Sequence, residues 1–169
     1  MSLPVSIDER ACIGHVHLKV SNLEQSVEFY TRALGFQLRQ RIGSSAAFLS
    51  AGGYHHHLGL NTWESQGGSP PPLGTVGLFH FAILYPHRRA LAVAVKRLLG
   101  SGVTLDGAAD HGVSEAVYFR DPDGIGVELY CDRPESLWPK DKDGGLSMFT
   151  RELDLAGLIA EADGHNNLE

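Results

Sequence analysis

The chain has 169 residues, 43% of them hydrophobic and 20% charged, with a formal net charge of −6. That size and composition fit one globular domain built of two small halves around a real core. The acidic balance leaves no basic stripe for phosphates, which excludes nucleic acid as a partner, and no apolar run approaches membrane-spanning length. The N-terminal MSLPVSIDERACIG lacks the basic start and apolar core of a secretory signal. Cys12 and Cys131 make no disulfide framework, so the expected location is a reducing cytoplasm.

Taken in order, Ile13 to Val20 alternates as a strand, with His15, His17 and Lys19 on one face and Val16, Leu18 and Val20 on the other. Ser21-Asn22-Leu23-Glu24 reads as a capping box, followed by Leu23, Val27, Tyr30 and Leu34 at helical spacing and a stop at Gly35. Strands are expected over Phe36 to Arg41, Ala46 to Ser50 and His55 to Asn61. The consecutive His55, His56 and His57 lie mid-chain and are no expression tag. Residues 62–77, with Pro70-Pro71-Pro72, read as a linker.

The same grammar then recurs. Gly77 to Tyr85 is a strand carrying His80, and Arg88 to Leu99 a helix with Leu91, Val95, Leu98 and Leu99 on one stripe. Short strands follow at Val103 to Leu105, Ala116 to Arg120 and Gly126 to Tyr130. His15 and His80, each in the first strand of its half, stand 65 residues apart, which supports an internal repeat. The expected organisation is a single domain over 1–169: module 1 at about 11–62, module 2 at about 77–132, and a tail at 133–169. Leu146 to Ala162 reads as a C-terminal helix through Met148, Leu155, Leu158 and Ile159, with frayed last residues.

Glu128 sits between Val127 and Leu129 in the last strand of the repeat. A carboxylate in an apolar strand is costly to bury unless something positive meets it, and a metal ion is the expected partner. His15 and His80 are the co-ligands this suggests. Two histidines and one carboxylate with open positions are the ligand set of non-haem Fe(II) oxygenases.

The GHVHLKV opening, the ALGF helix end and the YFRDPDG-x-x-VELY closing resemble the vicinal-oxygen-chelate superfamily over about residues 11–132. That superfamily includes glyoxalase I, type I extradiol dioxygenases, fosfomycin-resistance thiol transferases and bleomycin-binding proteins. The resemblance implies an α+β fold of paired βαβββ modules forming a curved mixed sheet around a metal cleft. It places the ligands on His15, His80 and Glu128, with His17 as the competitor to His15. A glyoxalase-type fourth carboxylate is missing from His55 to Asn61; alignment through Trp63 puts Leu58 there, and a one-residue slip would put His57 there instead. The resemblance is nearest to catechol 2,3-dioxygenase-like members. In those terms His56 is the acid–base residue, Tyr118 bonds a substrate oxygen and His111 orients the substrate. It implies Fe(II), with Mn(II) as the alternative, a small aromatic catechol and O₂ as partners, and a homodimer. The competing readings are a glyoxalase-like isomerase or thiol transferase, and a non-enzymatic drug-binding protein.

Overall fold

A computed structural model describes residues 6–164, so the start of the N-terminal segment and the frayed end expected at 165–169 lie outside the described residues. Strand β1 (Val16–Lys19) leads into helix α1 (Leu23–Arg32), then β2 (Gln37–Ile42), β3 (Ala46–Ser50) and β4 (Leu58–Asn61). The second half repeats this with β5 (His80–Leu84), α2 (Arg88–Gly100), β6 (Leu105–Asp110), β7 (Ser114–Arg120) and β8 (Gly126–Asp132). Each half makes its own mixed sheet, in the order β1-β4-β3-β2 and β5-β8-β7-β6. In each, the first and last strands run parallel and the hairpin pairs antiparallel. The architecture is α+β, as the repeated strand-helix-strand pattern requires.

Burial follows the expected periods. Leu18 and Val20 are buried while His17 and Lys19 are exposed, and Leu23, Val27, Tyr30 and Leu34 face the core from α1. On α2 the stripe is Leu91, Val95 and Leu98; Leu99 is left exposed at its rim. The capping box is not formed. Asn22 caps α1, its side chain accepting from the Gln25 amide at 3.1 Å, while the Ser21 amide donates to Asp123 Oδ2 and Glu24 binds Arg41.

Three element boundaries differ from expectation. Only Leu58–Asn61 of the fourth strand is paired, so His55 and His56 lie in the turn before it. The strand expected at Val103 begins at Leu105 and runs to Asp110. The C-terminal helix starts at Leu155, capped by Asp154, and not at Leu146 (α3, Leu155–Ala160). Ahead of it the chain is extended, and β9 (Arg151–Glu152) pairs with β6. The competing force is the unpaired edge of β6, whose amides and carbonyls take a partner strand at the cost of one helical turn.

The halves meet through α1. Tyr30 packs 6.4 Å from Phe81 and Phe29 packs 6.3 Å from Phe119, ring centre to ring centre. The buried Tyr30 hydroxyl donates to Asp121 Oδ2 at 2.8 Å. Asp121 lies in the turn between β7 and β8, where its other oxygen accepts from the Asp123 and Ile125 amides.

Burial raises the Asp121 carboxyl above its ordinary value of 3.8, against the opposing pull of its hydrogen bonds. Folding therefore favours the protonated form, and that contribution is complete below the unfolded pKa and fades as pH rises through the folded one. Tyr30→Phe is expected to lower unfolding free energy by ~1–3 kcal/mol, because Asp121 loses its donor. Relative to Asp121→Asn, which cannot titrate, the wild type is expected to lose stability as pH rises from the ordinary carboxylate value. Urea unfolding curves at a series of pH values measure both.

Candidate functional site

The outward face of the second sheet carries the densest group of functional side chains. Strand pairing sets Ala82, Glu128 and Tyr118 side by side on β5, β8 and β7, and His80 one step away opposite Gly126. Glu128 is reached from both sides: the Tyr118 hydroxyl donates to Oε1 at 2.9 Å, and His80 Nε2 lies 3.0 Å from Oε2. Tyr118 also meets His111 Nε2 at 2.7 Å. The far nitrogen of His111, Nδ1, lies 3.1 Å from the Phe149 carbonyl and 3.2 Å from Thr150 Oγ1. A cavity of about 280 Å³ opens beside this chain, lined by Phe79, His80, Gly107, Tyr118, Arg120 and Gly126.

The electrostatics hold Tyr118 as a phenol. Desolvation first, then the hydrogen bond and charge of Glu128, push its pKa well above the usual phenol range. His80 and Glu128 also suit a divalent ion. Two donors bound at a right angle, each about 2.1 Å from one ion, stand about 3.0 Å apart, the separation seen here. In the metal-free arrangement His80 Nε2 points its proton at Glu128, and its buried Nδ1 has no partner among the described residues. Binding an ion at this pair displaces that proton.

The first sheet carries a separate cluster. His15 is exposed just ahead of β1, and its ring packs 4.6 Å from that of His56. His56 also contacts Phe48, and its Nδ1 lies 2.8 Å from His55 Nδ1. Among the described residues no three His, Cys, Asp or Glu side chains are grouped to hold a metal ion. His80 and Glu128 are thus brought together, as are Tyr118 and His111, whereas His15 is turned onto His56. Lying outside the paired part of β1, His15 has no ladder to hold its side chain toward the second sheet.

The alternatives for the first sheet resolve by register. In the second sheet Glu128 stands opposite Ala82, two residues after His80. In the first, Gly59 stands opposite His17, two residues after His15. Gly59 therefore holds the place of a fourth carboxylate. Leu58, expected there, faces the core and is buried. His17 lies over Gly59 so closely that an added Cβ would stand 2.9 Å from its ring, and it packs on Trp63. His57 is committed to the turn, its Nδ1 accepting from the Ala51 amide and meeting Ser50 Oγ. The contact of residues 149–150 with His111 was missed from sequence. It runs largely through a main-chain carbonyl, which leaves no residue signal, and it falls in a stretch read as helix.

Residues 12–129 match the family model described as Glyoxalase/Bleomycin resistance protein/Dioxygenase superfamily. The chain is 41% identical over 157 residues to a catechol-2,3-dioxygenase of Bacillus subtilis, covering 93% of this chain but only 54% of that protein. The chain thus spans about half the length of that relative. A probable lactoylglutathione lyase of Vibrio parahaemolyticus is 27% identical, over 73% of this chain and 93% of its own. Among solved structures, a glyoxalase/dioxygenase from Nostoc punctiforme superposes with a TM-score of 0.60 at 19% identity, covering 79% of this chain and all of its own. That likeness concerns the fold.

Burial first, and then His15 and the other neighbouring imidazoles, lower the pKa of His56 below the ordinary 6.5, so the neutral ring is favoured. An NMR titration should place its midpoint below 6.5. His15→Gln should raise that midpoint only part of the way, because burial remains. A midpoint at or above the ordinary value would show that His56 is not held neutral.

Proposed function

The chain belongs to the Glyoxalase/Bleomycin resistance protein/Dioxygenase superfamily, and on that footing we propose that it is a metal-dependent extradiol dioxygenase that opens a catechol-type ring with O₂. The observation that carries this reading is the chain His111–Tyr118–Glu128–His80, which joins a fitted pair of metal donors to two proton-carrying side chains. In this reading His15, His80 and Glu128 hold the ion, and His15 must turn away from His56 to complete the set. When bound, a divalent ion, Fe(II) ahead of Mn(II), supplies Lewis acidity to the two ring oxygens and a route for electrons from the ring to O₂.

The protein's own groups do the rest. The cavity beside His80 takes the ring. The Tyr118 hydroxyl, kept protonated by burial and by Glu128, donates to a substrate oxygen. His111 backs Tyr118 and orients the substrate. His56, favoured as the neutral base, takes a phenolic proton and returns it later; one histidine of suitable pKa serves both steps.

A glyoxalase-like isomerase or thiol transferase is the second reading, favoured by the similarity to the Vibrio lyase. Gly59 counts against it, since no carboxylate stands where a fourth ligand would. The fitted His80–Glu128 pair counts against a metal-free drug-binding protein.

The test is anaerobic loading with Fe(II), exposure to air with a panel of catechols, and detection of the yellow ring-fission product. His56→Ala is expected to keep its metal and lose on the order of 10²–10⁴ in turnover. Glu128→Ala should lose metal and activity together, and Tyr118→Phe should be milder than either. If His56→Ala strips the metal, the ligand assignment is wrong. If the wild type opens no catechol with either Fe(II) or Mn(II), the dioxygenase reading fails.

A further inference from the structure

We propose that the extended segment 147–151 is a positioning element of the site: the Phe149 carbonyl holds His111 as its Nδ1–H tautomer, so that Nε2 is the basic nitrogen turned toward Tyr118. A carbonyl oxygen only accepts, so its 3.1 Å contact with Nδ1 requires the hydrogen to be on that nitrogen. In a neutral imidazole Nε2 is then an acceptor, and it lies 2.7 Å from the Tyr118 hydroxyl. Tyr118 has one hydrogen and two acceptors, His111 Nε2 and Glu128 Oε1. The segment thereby sets which way the Tyr118 proton has an alternative place to go.

The segment is built to hold this geometry. The Phe149 amide donates back to the His111 carbonyl at 3.3 Å, and the Ser147 amide donates to the Pro139 carbonyl at 2.9 Å. Arg151 pairs with Asp110 in the β9–β6 ladder, and its guanidinium lies 4.1 Å from the centre of the Phe149 ring. The Phe149 ring and Pro139 both crowd Gly112, where an added Cβ would come within 2.6 Å of the ring and 2.8 Å of the proline. Gly112 also has φ +78°, so it meets two demands that only glycine meets at once. The glycine beside His111 is thereby explained: it makes room for the segment that orients the histidine.

This deepens the ring-cleavage reading, in which a basic His111 Nε2 backs the Tyr118 hydroxyl during proton movement. The experiment is ¹⁵N NMR of the histidine rings in the full-length, metal-free chain, at a pH above the imidazole range. His111 is expected as the Nδ1–H tautomer in the wild type and in Thr150→Ala, because the backbone carbonyl remains. Phe149→Pro removes the amide that anchors the segment and the ring that packs on Gly112. It should give a mixture of tautomers, with at least a tenfold fall in kcat and little change in KM for whichever catechol the wild type opens. An Nε2–H tautomer in the wild type overturns the proposal. So does a switch in Thr150→Ala, which would make the hydroxyl the controlling group, or one retained tautomer in folded Phe149→Pro. The wild-type spectrum is decisive even where Phe149→Pro does not fold. The spectra need neither metal nor catechol, so the tautomer they report is independent of whether any ring is opened.

Discussion

The Asp121 carboxylate is the point through which the two halves and the ligand strand are tied together. One oxygen accepts from the Asp123 and Ile125 amides and closes the turn between β7 and β8; the other accepts from Tyr30 on α1. The turn decides where β8 begins, and that beginning sets Gly126 opposite His80 and Glu128 opposite both Ala82 and Tyr118. A slip of one residue would turn Glu128 into the core and Val127 outward. The same carboxylate that seats α1 in the core therefore also keeps the metal donors on the outward face. A charge this deeply buried is tolerable because each of its oxygens has donors.

A second buried carboxylate steadies the loop that carries His111. Glu115 on β7 is met by Arg88 from α2 and by Arg133 after β8, and Arg133 also holds Asp110. Asp110 in turn accepts from the Gly112 amide at 2.8 Å. His111 is thus gripped from its own loop by a network of charges and from the C-terminal side by the extended segment. Breaking one partner of such a network is costlier than the net worth of the pair, because it strands a buried charge. Three remote elements, α2, the chain after β8 and β9, bear in this way on the orientation of a single imidazole.

The fold was legible because its signals are local. Period-two alternation in His15 to Val20, the helical stripe from Leu23 to Leu34 and the 65-residue recurrence of a strand histidine all follow from side-chain direction alone. The second-sheet site was legible for the same reason: Tyr118, Glu128 and His80 sit on strands whose pattern names their outward faces. Pairing across strands was not legible. Whether Leu58 or Gly59 faces His17 depends on where the turn after β3 ends, and three successive histidines carry no hydrophobic alternation to mark it. The rotamer of His15 depends on a ring contact with His56, and the C-terminal segment on an edge that only the assembled sheet exposes.

Gly59 has a bearing on how this site can change over generations. Its missing side chain is filled by the ring of His17, 2.9 Å from where a Cβ would stand. A carboxylate at this position would need more than its own codon to change: any side chain there collides with an imidazole that must first be shortened or turned away. The intermediate carrying the glycine replacement alone is strained, and the one carrying the His17 replacement alone gains nothing for the metal. A descent from this two-histidine, one-carboxylate surface to a four-donor one is therefore a two-step path with no rewarded first step. That ruggedness would help keep neighbouring lineages chemically distinct while their backbones stay alike.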